Sequence, residues 1–253
     1  MKRHVLLHIR VLLALLWVVN APAADGVETY FVVPSLGPAH LVFARPLTGS
    51  NLDRNLDRVL PPLGDALDDG VFATVQRTIK QRDANADVVR VRLSGGMLFQ
   101  EADEPSDAAN IAELRKVLRD AHPVAPGAKA IVIAAHRAPA RMQGQNTTYG
   151  AGNVSGIGFY IDRMTGMRRS DTGESGRGFL GWFTNVRLPL IDLDSGRILG
   201  DERGTTGTTR AAVRGENENP WEAVPNDQKL EIMRSIVGNE IRRMLPMLLA
   251  KMP

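Results

Sequence analysis

The chain has 253 residues, 31 lysines and arginines against 28 aspartates and glutamates, 5 histidines and no cysteine. Without cysteine there are no disulfides, no thiolate-ligated metal and no acylated cysteine to serve as a lipid anchor. The net charge of +3 is too small to argue for nucleic acid or an anionic membrane surface as a partner.

That charge has a local source. Lys2, Arg3 and Arg10 flank the apolar run Val11–Val19, and Ala21-Pro22-Ala23 has the small-x-small pattern of a cleavage site. This is the arrangement of a secretory signal peptide. The run is shorter than the roughly 20 apolar residues that span a bilayer. Residues 1–23 are therefore expected to be removed on export, the alternative being an uncleaved anchor helix. Without them the chain carries 28 residues of each sign. The expected location is periplasmic or secreted, with residues 24–253 forming a single α/β domain and no membrane span after cleavage.

Thr29–Val33 reads as a first strand stopped by Pro34, and Leu41–Ala44 as a second stopped at Pro46. Leu52, Leu56, Val59, Leu60 and Leu63 recur at helical spacing, and Val71, Phe72, Val75 and Ile79 make a second such stripe. Val88–Leu93 alternates as a strand. Ser106-Asp107 is positioned to cap a helix carrying Ile111, Leu114, Val117 and Leu118. Ala130–Ala135 is continuously apolar, as a strand covered on both faces must be. Together these segments predict a strand–helix–strand crossover. Arg141–Ser155 is polar and glycine-rich, a turn or loop.

Gly156–Leu199 organises the rest. It holds one phrase twice, Ile161-Asp162-Arg163-Met164-Thr165-Gly166 and Ile191-Asp192-Leu193-Asp194-Ser195-Gly196. Each copy follows a β-favouring run and is read as a strand entering a tight turn. The stretch is expected to be the middle of a sheet with the helices on one face. Pro189 suggests an edge or a bulge. Residues 204–219 are low in apolar content and read as a flexible loop. A last helix starts near Asn226-Asp227, with Leu230, Met233, Val237, Ile241, Met244 and Leu248 on one face. The predicted fold class is α+β or α/β: a mixed, largely antiparallel sheet with helices packed on it and a C-terminal amphipathic helix.

Few residues suggest chemistry. Outside the signal the histidines are His40, His122 and His136, in no metal-ligand spacing, and no cofactor or metal site is expected. His136-Arg137 follows the Ala130–Ala135 strand, where α/β sheets commonly take ligands. Asp162 and Asp192 are either turn acceptors or a pair of carboxylates for a cation or for acid–base work. Gly150, Gly152, Gly156 and Gly158 precede a β-like run rather than a helix, so they read as turns and close backbone approaches, not a phosphate loop. The candidate binding residues are His136, Arg137, Asp162, Arg163 and Asp192; none is assigned a catalytic role.

Over Arg187–Leu199 the text VRLPLIDLDSGRIL resembles the strand-turn-strand of periplasmic proteins of the curli-assembly CsgG and penicillin-binding-protein-activator LpoB type. The lipidated cysteine usual there is missing. That resemblance implies a non-catalytic envelope protein that works by contact. Val91–His136 resembles the first half of an OmpA-like peptidoglycan-binding domain, but Ala138-Pro139 stand where that family has its aspartate, so the reading is not adopted. The expected function is an exported, non-enzymatic binding or assembly protein with an envelope-protein or cell-wall partner. The alternatives are a small periplasmic hydrolase using His136 and an aspartate, and a peptidoglycan or small-ligand binder using His136, Arg137 and Arg163.

Overall fold

Ser175–Asp192 is one extended strand of 18 residues, and the rest of the sheet is built on its two edges. The computed structural model describes residues 26–45, 55–60, 65–93, 104–144, 146–168, 172–211, 219–222 and 224–251. In chain order these give β1 (Thr29–Ser35), β2 (His40–Phe43), β3 (Leu56–Val59), α1 (Asp65–Arg82), β4 (Asp87–Arg90), α2 (Glu104–Ala121) and β5 (Lys129–Ala135). The short strands β6 (Arg137–Pro139), β7 (Met142–Gln143), β8 (Thr148–Tyr149) and β9 (Asn153–Ser155) follow. Then come β10 (Ile157–Arg168), β11 (Ser175–Asp192), β12 (Ile198–Ala211) and α3 (Asn226–Leu249).

β12 runs antiparallel along one edge of β11, from Phe179↔Ala211 to Ile191↔Ile198. The other edge is shared. β10 pairs antiparallel with the first half of β11, from Ser175 to Thr184, and β5 with the second half, from Val186 to Asp192. The sheet therefore forks at Asn185. One limb continues through β10 to β2 and β3; the other is parallel, β5–β1–β4. At the fork Asn185 N donates to Gly156 O (2.7 Å), His136 N to Asn185 O (3.1 Å) and Gly156 N to His136 O (3.0 Å). Every backbone group of the junction named here has a partner, as a buried branch point requires.

Gly178 to Ile191 is buried without interruption, because both faces of β11 are covered. Leu180, Trp182, Val186, Leu188 and Leu190 point into the largest apolar cluster, with Val71, Val75 and Ile79 of α1 and Met233, Val237, Ile241 and Met244 of α3. Side chains of opposite parity face away. Phe179 and Phe183 pack with Met142, Val154 and Tyr160, and Ile191 joins Ile111, Leu114 and Leu118 of α2. Each fully buried Leu, Ile, Phe or Met in these layers contributes about 1.5–3 kcal/mol. α3 sits close on β12 because two glycines lie beneath it. A Cβ at Gly200 would meet Leu248 Cδ1 at 2.9 Å, and one at Gly204 would meet Met244 Sδ at 2.5 Å.

The α+β class, the central position of 156–199 and the C-terminal helix agree with the reading from sequence. Several details do not. α2 lies on the face opposite α1 and α3, so the helices are not on one side. Leu56–Val59 is an edge strand paired with β2 rather than part of a helix; the rest of that expected helix lies largely outside the described residues. β1 continues through Pro34, which pairs with Ile133. β4 and β5 do not neighbour each other but flank β1, so the crossover spans it. Pro189 is central, not at an edge, though the irregularity it suggested is present beside it: pairing with β5 lapses across Leu188 and Pro189 and resumes at Leu190↔Ile131, and the β12 register shifts between Leu190 and Ile191. The expected loop at 204–219 is strand as far as Ala211; residues 212–218 are outside the described part, as is the signal segment. Pro225, not Asn226, is the N-cap of α3. Among the described residues no helix is long and apolar enough to cross a membrane.

Candidate functional site

The five residues singled out from sequence do not converge. Asp162 pairs with Phe179, His136 is bonded to Asn185, and Asp192 ends β11. Along an extended strand at about 3.3 Å per residue, His136 is roughly 20 Å from either aspartate, and the two aspartates are about 40 Å apart. Arg163 stays with Asp162, exposed, its Nη2 3.5 Å from Asn219 Oδ1. Arg137 stays with His136, also exposed. No shared acid–base pair or cation site can be formed from carboxylates this far apart, one on β10 and one at the end of β11.

Each aspartate is occupied where it stands, in the same way. Asp162 Oδ1 accepts the amides of Met164 (2.7 Å) and Thr165 (2.9 Å), and its Oδ2 accepts the Thr165 hydroxyl (2.8 Å). Asp192 Oδ1 accepts the amides of Asp194 (2.9 Å) and Ser195 (3.5 Å), and its Oδ2 accepts the Ser195 hydroxyl (2.9 Å). The Asp194 amide chiefly holds the Asp192 carboxyl below its ordinary value. One phrase thus builds one hydrogen-bonded loop twice, but in different settings. At Asp192–Gly196 it turns β11 into β12, with Gly196 at φ 74°. At Asp162–Gly166 it is a bulge, because β10 continues to Arg168 with its register shifted. Asp162→Ala would leave the Met164 and Thr165 amides without that acceptor. A loss of about 1–3 kcal/mol in urea unfolding is the expected result, and an unchanged midpoint would refute this role.

His136 is half-buried at the fork. Its Nε2 lies 3.0 Å from Gly204 O and its Nδ1 3.1 Å from Arg137 O. Both ring nitrogens are thus directed at backbone carbonyls. Across β12 is Glu240 of α3, 4 % exposed, accepting from Thr206 Oγ1 (2.6 Å) and Arg243 Nη2 (2.5 Å). Burial pushes the Glu240 carboxyl up. Hydrogen bonds from Arg243 and Thr206, with the charges of Arg243 and His136, outweigh burial and hold it below the usual glutamate value. A depressed folded value means that stability is complete above the unfolded-state value and is lost as pH falls through the folded one. In urea unfolding from neutral pH to about pH 3, the wild-type midpoint should therefore fall towards that of Glu240→Gln. Parallel profiles would exclude the linkage.

Two polar constellations were not found from sequence. Arg187, 3 % exposed on β11, binds Asp107 of α2 through both terminal nitrogens (3.0 and 2.7 Å) and Asp201 of β12 through Nε (2.9 Å) and Nη2 (2.8 Å). Asp107, expected as a helix cap, is instead this buried partner inside α2. The second constellation is the segment from Arg137 to Gln143, which leaves the fork and runs over β12. Its residues alternate without exception: Ala138, Ala140 and Met142 are buried, while Arg137, Pro139, Arg141 and Gln143 are exposed. Between this segment and β12 lies a groove of about 630 Å³, lined by Pro139, Arg141, Gln143, Thr205, Thr206 and Gly207. The period-two pattern in RAPARMQ is the signal that would have marked it as a strand-like wall rather than the start of a loop.

No protein-family model matches the chain, and no curated protein does. Among solved structures it is similar to the hypothetical protein CT253 from Chlamydia trachomatis, at 9% identity over 86% of this chain and 96% of that one, with a TM-score of 0.28.

Proposed function

We propose that this chain is an exported protein of the cell envelope that works by binding a partner rather than by catalysis. One observation carries the reading: the groups best suited to acid–base work are spent inside the fold. His136 faces two backbone carbonyls, Asp162 holds the bulge in β10, and Asp192 holds the turn from β11 to β12. Export is supported by the signal-like pattern of residues 1–23. The likeness of residues 187–199 to the CsgG and LpoB type points the same way.

Affinity capture from an envelope extract tests the proposal, with sedimentation against purified cell-wall sacculi as the arm for a wall partner. The expected outcome is a partner retained at physiological salt, or co-pelleting with sacculi. Turnover of a substrate by the purified protein alone, abolished by His136→Ala, would replace this reading with the hydrolase.

A further inference from the structure

We propose that the groove between the Arg137–Gln143 segment and β12 is a binding site for an oxyanion, a carboxylate or a phosphate, held by Arg141. The inference rests on the contact reading above and names the chemistry of that contact. Four observations meet here. The groove holds about 630 Å³, within the range of small-ligand sites. Among the described residues its lining contains one charged side chain, Arg141, together with the Thr205 hydroxyl and the Gln143 amide, and no carboxylate; the Thr206 hydroxyl is committed to Glu240. No described residue forms an ion pair or hydrogen bond with the exposed Arg141 guanidinium, whereas the buried Arg187 is saturated by Asp107 and Asp201. Finally, the alternation of burial leaves Arg137, like Pro139 and Arg141, exposed on this segment.

The groove is also firmly framed. β7 pairs with β12 at Gln143↔Thr208, and Thr209 Oγ1 donates to Gln143 O (3.2 Å). At the other end the His136 ring reaches Gly204 O. Gly207 lets the two walls approach, since a Cβ there would strike the Arg141 carbonyl and meet Met142 Sδ at 3.0 Å. A guanidinium on a fixed wall, with the Thr205 hydroxyl and the Gln143 amide in the same lining, matches an oxyanion: its planar fork donates two parallel hydrogen bonds to a carboxylate or phosphate, which a lysine ammonium does not.

The test follows backbone amide shifts of the purified protein during titration with inorganic phosphate and, separately, with succinate at constant ionic strength. The expected result is a saturable set of shifts confined to Arg141–Gln143 and Thr205–Gly207 with at least one probe; the responding probe identifies the source. Arg141→Gln should weaken that affinity at least about 10-fold and Arg141→Lys partly restore it, while Arg119→Gln on α2 leaves it unchanged. Shifts spread over many exposed arginines, equal affinity in Arg141→Gln, or no saturable shift with either probe would overturn the site. Partner capture separates the two readings. Capture that survives in Arg141→Gln sinks the oxyanion site but keeps the contact reading. Failure of wild type to capture anything sinks the contact reading even where the shifts appear.

Discussion

Replacing Arg187 with methionine should destabilise the protein by about 3–5 kcal/mol, the cost of removing one member of a buried ion pair. The guanidinium makes five hydrogen bonds to two carboxylates that come from different layers, Asp107 on α2 and Asp201 on β12. Burial alone would lower its proton affinity; the bonds to Asp107 and Asp201 reverse that and hold it firmly protonated. Without it, Asp107, 6 % exposed, is left as a buried carboxyl group without its partner. For a domain stable by about 5–15 kcal/mol the loss is a large share of the whole. The pairing itself contributes much less. Desolvating the charges offsets most of the attraction, so Arg187→Met combined with Asp107→Leu should recover most of the loss. Urea unfolding of the two single variants and the double variant gives the coupling. A double variant no more stable than Arg187→Met would show that the cluster stabilises the fold through packing rather than charge balance.

Arg187 also shows where reading from sequence stops. Its partners are 80 and 14 residues away, and an arginine alternating with Val186 and Leu188 looks like the solvated side of a strand. Only the docking of α2 on that face turns it inward. Local periodicity was legible wherever one face of one element decides burial: the Val71–Ile79 stripe of α1, the Ile111–Leu118 stripe of α2, the continuous apolar run of β5 and the Met233–Leu248 stripe of α3. It misled at Leu56 and Val59, whose helical spacing is overridden by the open edge of β2. It misled again at Gly204–Ala211, where threonine and glycine look loop-like. There the burial is supplied by neighbours, by α3 above Gly204 and by Met142 against Gly207. Among the candidate site residues, the turn role weighed for Asp162 and Asp192 is what the hydrogen bonds display. Their separation was not legible, because similar phrases carry no information about where in the sheet each one lies.

A single methyl group at residue 158 should cost about 3 kcal/mol, near the upper end of overpacking effects. Gly158 lies in β10 where it pairs with β2 at His40 and with β11 at Phe183. A Cβ there would press on the carbonyl oxygen of His40 and meet Phe183 Cζ at 2.7 Å. Neither neighbour yields easily: one is backbone in a paired strand, the other a ring 1 % exposed. Gly158→Ala would therefore have to prise β2 from β10 or displace Phe183 from its cluster with Met142 and Tyr160. Gly166, in the same strand, is the matched control. Nothing lies within 4 Å of the Cβ position there, and its φ is not positive. Gly166→Ala should fall within about 0.5 kcal/mol of wild type, or gain slightly because alanine restricts the unfolded chain. Thermal or urea unfolding of both variants decides it. Equal effects at the two positions would mean that β2 does not pack against β10 at His40, and the limb of the sheet carrying β2 and β3 would have to be redrawn.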